Sequence, residues 1–80
     1  MLNEQAGAFF ADRIKMVASL APNDLVAAEA ELGVAAGLLS YALLSGDISL
    51  DEHALLHRHI TTARNDRVAR LCRSSSRICA

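Results

Sequence analysis

The stretch from Leu25 to Ser45, LVAAEAELGVAAGLLSYALLS, decides the fold of this chain. Leu25, Leu32 and Leu39 recur at every seventh position, and an alanine follows each of them three residues later. That spacing places a seam of leucine and alanine along one face of an α-helix. Two further stripes share the helix: an apolar one of Val34, Leu38 and Tyr41, and one of small residues, Ala30, Gly33, Gly37 and Ser40. Because apolar character surrounds the helix from Leu32 onward, we expect it to be covered on nearly every side.

The size of the chain favours self-association. Its 80 residues make one small domain, and a domain of this size buries only about 60% of its unfolded surface. The hydrophobic fraction is 52%, but much of it is alanine, so the apolar area per residue is modest. We therefore expect a dimeric bundle assembled through the central helix. The residues predicted to carry self-association are Leu25, Leu32, Gly33, Gly37, Leu39 and Tyr41.

The central stretch is too short to predict a membrane span. Residues 32–44 carry no charge, but at about 1.5 Å per residue they reach only roughly 20 Å, whereas the hydrocarbon layer is about 30 Å thick. Extending the stretch towards the N-terminus brings in Glu31 and Glu29. The first residues, MLNEQAG, have no basic region ahead of an apolar run, so no secretory signal is predicted. We expect a cytoplasmic protein without membrane contact.

Capping signals divide the chain into three helices, predicted at residues 3–20, 24–45 and 50–72. Asn3 can cap the first helix, and Pro22 interrupts the helical pattern because it lacks a backbone donor. Gly46 readily takes the left-handed conformation that ends helices, and Ser49 and Glu52 have the spacing of a capping box. The short loop between the second and third helices predicts an antiparallel hairpin. The fold class is therefore all-α, with the first helix packed across this hairpin.

This arrangement predicts a single helical domain at residues 1–72. The remaining residues, 73–80, are rich in serine and arginine, and we expect them to form a flexible basic tail.

Charge is unevenly distributed along the chain. Eight acidic residues and only two basic ones precede His53, whereas six arginines and one acidic residue, Asp66, follow it. The arginines, predicted to contact a partner, are Arg58, Arg64, Arg67, Arg70, Arg73 and Arg77. Such a stripe can meet an acidic protein surface, including the acidic half of a second copy, or it can track the phosphates of nucleic acid. No aromatic residue is interleaved to stack on bases, which favours a protein partner.

No residue pattern predicts catalysis or a bound cofactor. His53 and His57 stand one helical turn apart, a spacing that can grip a metal, but zinc needs further converging ligands. Solvent-exposed histidines are the simpler interpretation, and a metal-binding protein is a distant alternative. Cys72 and Cys79 would lie about 10.5 Å apart on a continuous helix, too far for a disulfide, whereas an unfolded tail would let them join. Because a cytosolic chain normally keeps its thiols reduced, we expect both to be reduced. We predict neither enzymatic activity nor a cofactor.

One family resemblance can be named. The run Glu31-Leu32-Gly33, the apolar helix that leads to Ser45-Gly46-Asp47, and a second helix carrying Leu55-Leu56 and Ile60 resemble the core of the small enterobacterial YmgB/AriR family. Members of that family are biofilm and acid-resistance regulators built as dimeric helical hairpins. The resemblance covers about thirty residues, and it implies a regulatory connector that acts through protein or DNA contacts. This chain differs in having about one extra helical turn before Ser45-Gly46-Asp47 and in its arginine-rich end.

These observations predict a small non-enzymatic regulatory or inhibitory protein. It would bind a larger protein partner through helical surfaces, as short proteins of phages, other mobile elements and bacteria do. The alternative is a dimeric DNA-binding transcriptional regulator that uses the arginine-rich third helix.

Overall fold

The computed structural model describes residues 1–74 and consists of three helices: α1 (Glu4–Ser19), α2 (Leu25–Leu44) and α3 (Leu50–Ser74). α2 and α3 form the predicted hairpin, and α1 packs against both, so the predicted all-α fold of three helices is confirmed. The observed helix ends fall close to the predicted ones, although α3 continues past residue 72. Of the predicted tail, residues 73 and 74 belong to α3, and residues 75–80 lie outside the described residues.

The first turns of α1 and α2 are capped differently. At the start of α1, the side-chain oxygen of Asn3 accepts a hydrogen bond of 2.7 Å from the backbone N–H of Ala6, which is the predicted N-cap. At the start of α2, Asp24 occupies the N-cap position, but its side chain accepts no capping hydrogen bond. The last carbonyls of α1 also have no partners within their own helix, so they need donors from elsewhere in the chain.

The turn between α2 and α3 satisfies its own backbone groups. Gly46 has φ 83°, and its N–H donates to the carbonyl of Leu43, while the N–H of Asp47 donates to the carbonyl of Ala42. These two bonds form a Schellman motif, in which a left-handed glycine ends the helix. The predicted capping box follows directly: the N–H of Glu52 donates to Ser49 Oγ, and the N–H of Ser49 donates to Glu52 Oε1. The hairpin geometry is therefore specified locally.

The core lies between the three helices and is built on the leucine and alanine seam of α2. The buried residues of α2 are Ala28, Leu32, Ala35, Leu39 and Ala42. α1 contributes Phe10 and Val17, the turn contributes Ile48, and α3 contributes Ile60. Since the seam recurs at intervals of three and four, all its members face inward together. By length and composition alone α2 could also cross a membrane, a property that core helices of other proteins share.

α2 is covered on one side only, which differs from the expectation that it would be covered on nearly every side. Leu25 is half-exposed, although it belongs to the predicted seam, and Val26, Tyr41 and Leu44 are largely exposed. The two neighbouring helices, α1 and α3, pack against the face of α2 that carries its buried residues. The opposite half of α2 is left as an apolar surface.

Candidate protein-binding surfaces

Arg67 is a buried internal cap for the end of α1. Only 3% of this residue is exposed, and its guanidinium donates hydrogen bonds of 2.7–3.2 Å to four backbone carbonyls. These carbonyls belong to Val17, Ala21, Pro22 and Asp24, so one side chain satisfies both the last turn of α1 and the loop to α2. The negative end of the α1 dipole favours a cation at this place.

Two more of the predicted partner-binding arginines are also used inside the chain. Arg70 donates to the carbonyl of Ala18 at 2.9 Å, next to the site of Arg67. Arg64 forms two hydrogen bonds of 2.9 Å with the carboxylate of Glu29 on α2. The bond with Arg64 lowers the pKa of Glu29, because it stabilises the charged carboxylate.

The set of arginines available to a partner is therefore smaller than the sequence predicts. Arg67 is not available to a partner, because the closure of α1 requires its guanidinium inside the protein. Arg58 and Arg73 are exposed on α3, and Arg77 lies outside the described residues. The position of Arg67 could have been found in the sequence: Leu56, Ile60 and Ala63 mark the inward stripe of α3, and residue 67 continues it at the same spacing.

A continuous groove runs between α1 and α3, and we call it the α1–α3 groove. Three adjoining clefts of about 410, 340 and 410 Å³ share lining residues along its length. Its lining residues are Met1, Leu2, Gly7, Phe10, Ala11, Ile14 and Ala18 on the α1 side, and Glu52, Leu55, Leu56, His59, Thr62, Ala63, Asp66, Ala69, Arg70 and Arg73 on the α3 side. From residue 55 to residue 73 the groove follows α3 for about 27 Å. No residue of α2 lines it.

Small residues create this groove, and its two ends differ in polarity. Gly7 has open space where a side chain would stand, because no atom lies within 4 Å of an added Cβ. The part around Phe10 and Leu56 is apolar, with Glu52 and Met1 at its end, whereas the part that ends at Arg73 also contains Asp66. The groove thus offers an apolar middle with charged groups at both ends.

The second exposed surface is the outward half of α2, which we call the outer face. It comprises Val26, Ala30, Gly33, Gly37, Tyr41 and Leu44, which recur at intervals of three and four and are all exposed. Three of them, Gly33, Gly37 and Tyr41, were predicted to carry self-association. Leu32 and Leu39, also predicted for that role, are instead enclosed in the core of the single chain, because they belong to the opposite, inward face.

Both glutamates of α2 are drawn away from the outer face. Glu29 pairs with Arg64 of α3, and Glu31 pairs with Arg13 of α1 at 2.9 Å. Each carboxylate therefore lies at a flank of α2, where the helix meets a neighbour. The outer face carries no charge over about 27 Å, the length of eighteen residues of helix.

The histidines and the cysteine of α3 do not form a recognisable chemical site. The rings of His53 and His57 stack with 5.9 Å between centroids, and His59 contacts the edge of Phe10 at 6.3 Å. Within residues 1–74, no group of three or more His, Cys, Asp or Glu side chains is placed to hold a metal ion. Cys72 is disulfide-bonded, so the expectation that it is reduced is wrong; the second cysteine, Cys79, lies outside the described residues.

In comparisons with known proteins, no family model, no curated protein and no solved structure matches this chain.

Proposed function

We propose that this protein is a small non-enzymatic regulator or inhibitor that binds an α-helix of a larger protein in the α1–α3 groove. The observation that carries the proposal is the groove itself, which is about 27 Å long, lies between two helices and has an apolar middle. Amphipathic helices bind in such grooves by inserting apolar side chains at intervals of three and four residues. The groove has the length of a partner helix of about five turns.

The lining of the groove indicates the chemistry of this partner helix. Gly7, Ala11 and Ala63 leave room for bulky side chains, so the inserted face should carry leucine, isoleucine, methionine or phenylalanine. Near the other end Arg73 is exposed, which favours a carboxylate on the partner there. The regulatory part of the proposal also follows the resemblance of the α2–α3 hairpin to the YmgB/AriR regulators.

A substitution in the groove tests the proposal without disturbing the fold. Gly7→Leu fills the groove where an added Cβ meets no atom within 4 Å, and leucine is also the better helix former. Wild-type protein and Gly7→Leu, immobilised side by side, should differ in the proteins that they retain from a cytosolic lysate. Gly33→Leu, on the outer face, is the matched control and should retain the groove ligand.

A peptide test then identifies the contact. A helix from any protein that is retained by the wild type and lost by Gly7→Leu should bind the purified wild type, and its affinity should fall at least about tenfold for Gly7→Leu. If Gly7→Leu and a second groove variant, Leu55→Glu, retain the same proteins as the wild type, the groove is not the binding site.

A DNA-binding regulator has less support. Arg64, Arg67 and Arg70 donate to groups of their own chain, and Arg58 and Arg73 are two further arginines exposed on α3. Few phosphates can then be neutralised, and each contact contributes about −0.9 to the slope of log affinity against log salt. Sub-micromolar binding of duplex DNA at 0.15 M salt that Arg58→Ala and Arg73→Ala abolish would favour this alternative instead.

A further inference from the structure

The two glycines of the outer face are unexplained by the single chain. Gly33 and Gly37 lie inside α2, where glycine lowers helix stability relative to alanine. Nothing in the described chain approaches them, since an added Cβ at either position meets no atom within 4 Å. The backbone conformation does not require glycine there either: among the described residues a positive φ occurs at Gly46, and not at Gly33 or Gly37. Their small size therefore suits a contact from outside the chain.

The outer face has a symmetrical order of large and small residues. Gly33 and Gly37 are each two residues from position 35, and Val26 and Leu44 are each nine residues from it. Bulky apolar side chains thus stand at both ends: Val26 is 84% exposed and Leu44 is 88% exposed. The middle is flat because it consists of glycine. A helix with this order is complementary to a second copy of itself that runs in the opposite direction.

We infer that two copies of this protein pair through their outer faces, with the two α2 helices antiparallel. Around the two-fold axis, Gly33 of one copy lies beside Gly37 of the other, and the helix backbones approach closely. Val26 of each copy then packs against Leu44 of the other, and Tyr41 lies one residue out of register with Ala30, whose small side chain leaves room for its ring. Since the Val26–Leu44 contact occurs twice, at equal distances from position 35, both ends of the interface bury the same kind of surface.

The charges of the two copies permit this approach. An antiparallel pair of α2 helices brings no ionised side chain of the outer face into the interface, because the face contains none. Glu29 and Glu31 are already paired with arginines of their own chain, at the flanks. The two helix dipoles also oppose each other favourably in this orientation.

The size of the outer face sets the expected affinity. It is about 27 Å long and one helix wide, which is about 10–12 Å. The area of such a strip is smaller than the roughly 800 Å² that each partner buries in a standard stable interface. We therefore expect a dimer that dissociates in the micromolar range. The α1–α3 groove shares no residue with the outer face, so a dimer would leave both grooves free.

Sedimentation equilibrium of the whole protein tests the pairing. The wild type should be mostly dimeric at about 100 µM, and Gly37→Leu should weaken association at least about tenfold. Gly7→Leu is the matched control: it makes the same exchange at an open helical glycine outside the outer face, and it should associate like the wild type. At dilutions where the wild type is monomeric, Gly37→Leu should melt at a higher temperature, since leucine favours the helix. That result separates lost association from lost folding.

A mixing experiment tests the antiparallel orientation. Val26→Glu and Leu44→Lys should each be monomeric at about 100 µM, because each buries a charge at the end of the interface. Mixed in equal amounts, they should form a heterodimer, since the new carboxylate and the new ammonium face each other only in the antiparallel arrangement. Mixing that restores no dimer would exclude this orientation.

Two results would overturn the inference. One is a wild type that stays monomeric at about 500 µM, far above the expected dissociation constant. The other is a wild type that floats with neutral phosphatidylcholine vesicles while Gly37→Leu associates as the wild type does, which would assign the outer face to a lipid surface.

Discussion

Replacing Arg67 with alanine should remove a large part of the stability of this protein. The residue is a buried cation, and Val17, Ala21, Pro22 and Asp24 accept its hydrogen bonds. A hydrogen bond to a charged group contributes about 1.5–3 kcal/mol, and breaking a buried charged network costs about 3–5 kcal/mol. An 80-residue protein has a free energy of unfolding of only about 4–12 kcal/mol. The variant should therefore be close to its folding limit.

Two companion variants make the measurement interpretable. Arg67→Lys keeps the charge but cannot reach four carbonyls with one planar group, so we expect a smaller loss of about 1.5–3 kcal/mol. Arg58→Ala removes an exposed arginine from the same helix and should change stability by less than about 0.5 kcal/mol.

Urea denaturation followed by circular dichroism at 222 nm gives the free energy of unfolding of each variant. At about 4–8 °C per kcal/mol, Arg67→Ala should also lower the melting temperature by at least about 12 °C. If Arg67→Ala and Arg58→Ala have the same urea midpoint and the same slope, the cap formed by Arg67 contributes nothing and the argument fails.

Three further predictions concern the turn, the core and acid stability. Ser49→Ala should cost about 1 kcal/mol through loss of its cap, and Gly46→Val should cost more because valine resists the left-handed conformation; equal thermal melts of both variants and the wild type would contradict this. Leu39→Ala should cost about 2–5 kcal/mol, measured by urea midpoint, because Leu39 is fully buried. The pKa of Glu29 is lowered by Arg64, so their pairing stabilises the fold above the ordinary glutamate pKa of about 4.3 and is lost as the pH falls below it. Glu29→Gln should accordingly lose less stability than the wild type between pH 6 and pH 3; parallel pH profiles would exclude that contribution.

The features that the sequence predicts well are those encoded by neighbouring residues. Ser49 and Glu52 form a capping box whose partners are three residues apart, and Gly46 acts on the helix that it follows directly. The inward seam of α2 is similarly predictable, because its leucines and alanines share one helical period. Patterns among residues close in sequence therefore predict the three helices and the hairpin without knowledge of the packing.

The candidate surfaces depend on packing and could be predicted only in part. Leu32 and Gly33 are adjacent in sequence, yet one lies in the core and the other on the outer face. Both stripes are apolar, so periodicity alone does not say which one meets α1 and α3. The uneven charge of the chain predicts Arg67 as a partner contact, and its carbonyl partners are known only once α1 is placed against α3.

The cap formed by Arg67 also implies an order of events during folding. The bonds of the α2–α3 turn join residues close in sequence, whereas Arg67 and Val17 are 50 residues apart. Contacts that close such long loops pay a larger entropic cost and form after local ones. The hairpin can thus assemble first, and the end of α1 is capped only when the C-terminal part of α3 packs against it. The contacts of Arg67 would then mainly lower the rate of unfolding and have little influence on the rate of folding.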